Sequence, residues 1–224
     1  MNGCRGRLLT SIAHPCYNLL MQARKKTGER ARQTFTETAR RAQIVEAAID
    51  TIAEVGYARA SFALIAERAG LSSTGLISYH FKSRDELIEQ VVTTIISLMG
   101  QFMAQRMQQQ SNAADALRTY IQATAAFIGT YRTQMKALLA IFLHGGLHYD
   151  ETTELLVISP VEEILRRGQE SGEFRLFDTR VMAAVIQRAV DGLPFLLATY
   201  PDLDVDAYAR EVVTLFELAT RRTV

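Results

Sequence analysis

The stretch Ser61-Phe62-Ala63-Leu64-Ile65-Ala66-Glu67-Arg68-Ala69-Gly70, continued by Leu71-Ser72-Ser73-Thr74-Gly75-Leu76-Ile77-Ser78-Tyr79-His80-Phe81, holds two short helical patterns around a glycine. Ser61 is placed to cap the first, which carries Phe62, Ile65, Ala66 and Ala69 on one face and stops at Gly70. A Ser/Thr-rich turn leads into the second, from about Thr74 to Phe81. Two helices of two to three turns joined through a Gly-containing turn form a helix-turn-helix, whose second helix enters the DNA major groove. Ser72, Ser73 and Thr74 gather at the start of that second helix, where free N–H groups and the positive dipole end suit a phosphate. Tyr79, His80 and Lys82 follow at its other end as phosphate donors, and Ser61 is a further backbone contact.

Upstream, Ile44, Val45, Ala48, Ile49 and Ile52 make one apolar stripe of a helix from about Thr36 to Val55, closed by Gly56. Downstream, Ser83-Arg84-Asp85-Glu86 reads as a capping box opening a long helix through about Gln108. Further helices are expected at about 113–130, 133–145, 152–171, 178–199 and 205–222, with Gly-Gly, Ser-Gly and Pro-Asp breaks between several of them. The expected fold is all-α. It divides into a basic, disordered N-terminal extension (1–35), a three-helix DNA-binding domain (36–82), and a helical bundle for effector binding and dimerisation (83–224).

The net charge of +1 conceals an asymmetry. Residues 1–45 carry nine Lys/Arg, Arg40 and Arg41 among them, against Glu29 and Glu37; the remainder is net acidic. Such a lead segment suits a polyanion, although charge alone fits a solvated tail equally well. Arg40 is counted among the DNA contacts. Cys4 and Cys16 are the only cysteines, too few for a disulfide framework, which fits a reduced cytoplasmic setting. His14, Pro15 and Asn18 interrupt the early apolar stretch, so export is not expected; Met21 is an alternative start that would leave a short basic arm. No uninterrupted apolar run has the length of a membrane span, and no membrane partner is expected.

From Ala66-Glu67-Arg68-Ala69-Gly70-Leu71 through Ser73-Thr74-Gly75-Leu76-Ile77-Ser78-Tyr79-His80-Phe81 to Lys82-Ser83-Arg84-Asp85-Glu86-Leu87, the chain resembles the DNA-binding domain of the TetR family over about residues 38–90. The resemblance implies a transcriptional regulator, most commonly a repressor. Ile77 and Phe81 would pack inward, Thr74, Gly75, Ser78, Tyr79 and His80 would face double-stranded operator DNA, and Lys82 would hold the backbone. Gly70 to His80 is one residue longer than the commonest family spacing, which leaves open whether Ser72 or Ser73 caps the helix. The helix also lacks Arg, Asn and Gln, the usual bidentate base readers, so sequence preference leans on Thr74, Gly75, the basic arm or DNA shape.

By the same resemblance the C-terminal half holds a small-molecule effector pocket and a homodimer interface. Two apolar helices, one with Val181, Ala184, Val185, Ala189, Leu193, Phe195, Leu196 and Leu197 and a final one with Val212, Val213, Leu215, Phe216 and Leu218, supply half of a four-helix interface or else complete the monomer core. Apolar walls with a few polar groups nominate Phe102, Met103, Phe127, Tyr131, Met135, Phe142, His144, Arg188, Asp191 and Phe195 for the pocket. Arg188 and Asp191, at i and i+3, can also simply pair, and Pro194 after Gly192 can kink its helix. His144 and His148 are four apart with two glycines between them and no third ligand, so no metal or cofactor is expected. Phosphate-loop, nucleophile-elbow and metalloprotease signatures are missing, which argues against an enzyme. Two alternatives remain: an architectural or replication-linked DNA binder without an inducer, and a helical carrier whose helix-turn-helix is incidental.

Overall fold

A computed structural model describes residues 35–108, 110–146 and 150–222. The cysteines, the basic residues up to Arg32 and His148 lie outside them. Among the described residues there are ten α-helices and no named strand: α1 (Phe35–Val55), α2 (Phe62–Arg68), α3 (Gly75–His80), α4 (Arg84–Met107), α5 (Ala113–Thr130), α6 (Arg132–Leu143), α7 (Glu151–Glu170), α8 (Thr179–Asp191), α9 (Leu193–Thr199) and α10 (Val205–Thr220). The chain forms two compact units, 35–97 with 131–146, and 98–130 with 150–222. The first thus takes in the start of α4 and all of α6 besides α1 to α3, and α4 contributes residues to both.

The apolar stripe of α1 builds the core of the first unit. Ile44, Ala48 and Ile52 are fully buried against Ile65 and Ala69 of the α2 region, Ile77 of α3, Phe81, the start of α4 (Leu87, Val91, Ile95) and Ala137 and Ile141 of α6. Helix α2 begins as the sequence asks: Ser61 Oγ accepts the Leu64 N–H at 3.3 Å. It ends in a tight C-terminal motif, with Leu71 N–H reaching Ala66 O at 2.9 Å and Gly70 N–H reaching Glu67 O at 3.0 Å. That closure puts Gly70 at φ +62°, a conformation glycine enters without penalty.

In the second unit α5 is buried along most of its length and packs against α7, α8 and α10. Aspartates cap three of these helices: Asp150, Asp178 and Asp204 each accept the N–H three residues on, at 2.8, 3.0 and 2.9 Å. Glu173 caps α5 from outside, accepting from Ala113 and Ala114 N–H. The expected single helix over 178–199 is instead two. Pro194 has no N–H to give Val190 O, and its ring crowds that carbonyl, so α8 closes at Asp191 and α9 opens after Gly192. Helix α4 and the α8–α9 stretch have the length and apolar composition of a membrane span. Their buried residues nevertheless line the two cores: Leu87, Val91 and Ile95 in one, Ala183, Ile186 and Val190 in the other.

Helix α7 and the turn that follows it approach closely at Gly168. A Cβ on Gly168 would fall 2.1 Å from a ring carbon of buried Phe174. Gly168→Ala is therefore expected to lower stability by about 1–3 kcal/mol through overpacking. A thermal melt that left the midpoint unchanged would contradict this packing.

Candidate functional site

The outward side of α3 is the first candidate surface. Ile77 and Phe81 are buried, at 0% and 1% exposure, while Ser72, Ser73, Thr74, Gly75, Leu76, Ser78 and Tyr79 are exposed, Tyr79 at 77%. Helical spacing accounts for the core of this division, since 77 and 81 lie one turn apart, Gly75 and Tyr79 fall on the opposite side and Ser78 at the flank, while Thr74 stands before the first turn. The cap resolves to neither serine. The helix starts after Thr74, which makes no side-chain capping bond, and the first bonds are Leu76 N–H to Ser73 O at 3.3 Å and Ile77 N–H to Thr74 O at 3.0 Å. Gly75 keeps an ordinary backbone conformation, and a Cβ there would meet only Ser73 Oγ, at 3.4 Å.

His80 is half-buried, its ring edge-on to Tyr79 at 5.0 Å, and its Nδ1 is enclosed without a hydrogen-bond partner. Any phosphate contact from this imidazole therefore falls to Nε2. Lys82 is exposed and its backbone N–H donates to Glu86 Oε2 at 2.8 Å, while Glu86 N–H donates to Ser83 Oγ at 3.1 Å. The capping box thus closes one residue early on its return arm, on Lys82 instead of Ser83. Arg40 is half-buried and donates to Gln43 Oε1 at 2.7 Å, so its charge sits at the edge of α1.

The second candidate region lies in the other unit. Buried Tyr120 donates its hydroxyl to Gln187 Oε1 at 2.8 Å, and Gln187 Nε2 donates to Asp191 Oδ1 at 2.8 Å. Arg188 lies 3.0 Å from Glu154 and 3.6 Å from Asp191, so the expected pairing within α8 forms and recruits an acid from α7. Burial pushes the Asp191 carboxyl above the usual carboxylate range, opposed by the Gln187 hydrogen bond and the Arg188 charge. One and two turns along α5 from Tyr120, Thr124 Oγ1 donates to Tyr120 O at 2.8 Å and lies 3.8 Å from Met103 Sδ, and Phe127 meets Phe102 edge-on at 5.3 Å.

Of the nominated pocket residues, Phe102, Met103, Phe127, Arg188, Asp191 and Phe195 belong to this unit, while Tyr131, Met135, Phe142 and His144 belong to the other. Phe195 is 47% exposed and Phe142 44% exposed, and His144 Nδ1 is 2.9 Å from Ala140 O. Sequence reasoning passed over Tyr120, Thr124, Gln187 and Glu154. Gln187 carried a signal, being a polar residue on the Ala183, Ile186 and Val190 face.

A family model for bacterial regulatory proteins of the tetR family matches residues 44–91. The HTH-type transcriptional regulator BetI of Proteus mirabilis is 34% identical over 160 residues, 70% of this chain and 79% of that protein. The chain belongs to the TetR family. Two other BetI regulators align with this TetR-family chain over only 51% and 59% of their own length. Among solved structures, a putative transcriptional regulator from Saccharomonospora viridis in complex with choline matches with a TM-score of 0.71 at 21% identity, over 83% of this chain and 100% of that one. FadR from Bacillus subtilis in complex with stearoyl-CoA matches with a TM-score of 0.63 at 23% identity, over 78% and 96%. These likenesses establish a shared TetR fold.

The raised Asp191 has a thermodynamic consequence. Its folded form holds a proton more tightly than the unfolded chain does, so its contribution favours folding at acid pH and is lost as pH rises through the folded value. Asp191→Asn, which keeps an acceptor for Gln187, should raise the melting temperature at neutral pH, with a gain that shrinks on acidification. A gain that did not change with pH would refute this assignment.

Proposed function

We propose that this chain is a DNA-binding transcriptional regulator that reads an operator with α3 and whose operator affinity is set by a small-molecule effector. The observation carrying this reading is the division of α3: Ile77 and Phe81 anchor it, leaving Thr74, Gly75, Ser78 and Tyr79 outward, with Lys82 following. A short helix held from behind, with hydroxyls and a cation along its free side, suits a duplex in which phosphate contacts position and base edges specify. Family membership supports the same reading, which we extend to repression in a cytoplasmic setting.

A dimer gives two copies of α3 for two half-sites. Its supporting feature is exposed apolar surface on α8 and α10, namely Val181, Val185, Leu215 and Leu218. For the effector, the choline and stearoyl-CoA held by the two structural neighbours differ in size and charge, so the class has to be sought from this chain's residues. The Tyr120–Gln187–Asp191 chain is our choice for its polar anchor, with Phe102, Met103 and Phe127 as apolar wall. A compound that loosens the duplex complex should lose that effect in Asp191→Asn.

Tyr79→Phe combined with Lys82→Ala should weaken duplex binding at least about tenfold while sedimentation still reports a dimer. Unchanged affinity at near-physiological salt would remove α3 as the reading face. Gly75→Ala separates folding from contact: the site accepts a Cβ, so stability should hold or rise by up to about 1 kcal/mol. Its duplex affinity should fall where DNA backbone comes close. An affinity equal to wild type would show that Gly75 is not at the interface.

A further inference from the structure

Helix α3 has six residues, and the last carbonyls of any helix lack partners of their own. Here one of them is taken by a side chain from far away in sequence. The Arg41 guanidinium, on α1, donates through Nη1 to the backbone oxygen of His80, the final residue of α3. Its Cζ lies 4.1 Å from the centroid of the Phe81 ring, and its Nη2 is 3.4 Å from Glu86 Oε1. The other Glu86 oxygen holds the Lys82 N–H at 2.8 Å. One planar cation therefore fixes the end of α3, the aromatic anchor after it and, through Glu86, the backbone of the lysine facing solvent. Gln43, two residues on, does the same for the preceding helix, with its Nε2 donating to Ala69 O at 2.6 Å.

We infer that Arg41 is a positioning residue for DNA recognition. Resting on the reading of α3 given above, the inference is that the Arg41–Glu86 clasp sets the tilt of α3 without touching the duplex. The side chain is 20% exposed and its donors are directed inward to His80 O and Glu86. A lysine retains the charge but cannot span a carbonyl, a carboxylate and a ring face with one flat group.

The sign of two substitutions tests this. If only charge mattered, Arg41→Lys would be silent, and Glu86→Gln, which removes a negative charge near a polyanion, would tighten binding. The clasp predicts that each weakens binding about fivefold to tenfold. It also predicts that Arg41→Gln leaves the salt dependence unchanged, whereas Lys82→Ala should reduce the slope of log affinity against log salt by about 0.9. The measurement uses the full chain with a labelled duplex selected from a random pool by the wild-type protein, and circular dichroism melts confirm folding. Wild-type affinity in Arg41→Lys with equal or tighter binding by Glu86→Gln overturns the inference, as does a reduced salt slope in Arg41→Gln, the mark of a direct phosphate contact. If Arg41→Lys does not fold, the sign of the Glu86→Gln effect decides alone. Selection of no duplex at all would instead overturn the DNA reading, and the clasp's role with it.

Discussion

A helix of six residues cannot sustain itself in water; nucleation costs more than so few hydrogen bonds return. Helix α3 therefore exists because Ile77 and Phe81 are buried in the core made by α1, α2, the start of α4 and α6. That burial fixes rotation about the helix axis and so decides that Tyr79 and Ser78 face outward. Burial of two side chains leaves a residual freedom, tilt about the line joining them, and polar contacts at the helix end are suited to removing it. The Arg41 and Gln43 bonds to the terminal carbonyls of α3 and of the α2 segment have that character.

The other unit follows a different logic. Its central helix α5 is enclosed by α7, α8 and α10, and Tyr120, Gln187 and Asp191 are chained by hydrogen bonds beside it. The chain ends at a carboxyl whose burial disfavours its charge, with Arg188 shared between it and Glu154. A half-buried acid at the end of a hydrogen-bonded line responds to what sits beside it. This is the setting in which a small molecule's polar group can shift an equilibrium between two states.

Much of the fold was legible because local chemistry and tertiary packing agree. The α1 stripe, the Ser61 cap and the Gly70 stop each depend on a few neighbouring residues, and local pattern exposes them. The inward side of α3 was legible through the family resemblance, which placed Ile77 and Phe81 where the structure buries them. What the sequence hid were contacts between distant segments. Arg41 counts as one more charge of a basic lead, yet it lies three residues before Ile44 on the stripe side of α1, and that register was its only local sign. Tyr120 and Gln187 are 67 residues apart, and no periodicity links them. The break at Gly192 went deeper than a kink because Pro194 both withholds a donor and crowds Val190 O, whereas apolar spacing runs on through it. The grouping of α6 with the DNA-reading helices comes from Ala137 and Ile141, whose destination their own helix does not encode.

The central claim is that α3, held from behind, lies against a duplex. Amide hydrogen exchange with and without a selected duplex tests it most directly. Residues 72–82 should gain protection on binding, while the amides of Ile44 to Ala53, already closed within α1, change little. Protection that appeared elsewhere and left 72–82 unaltered would contradict the account.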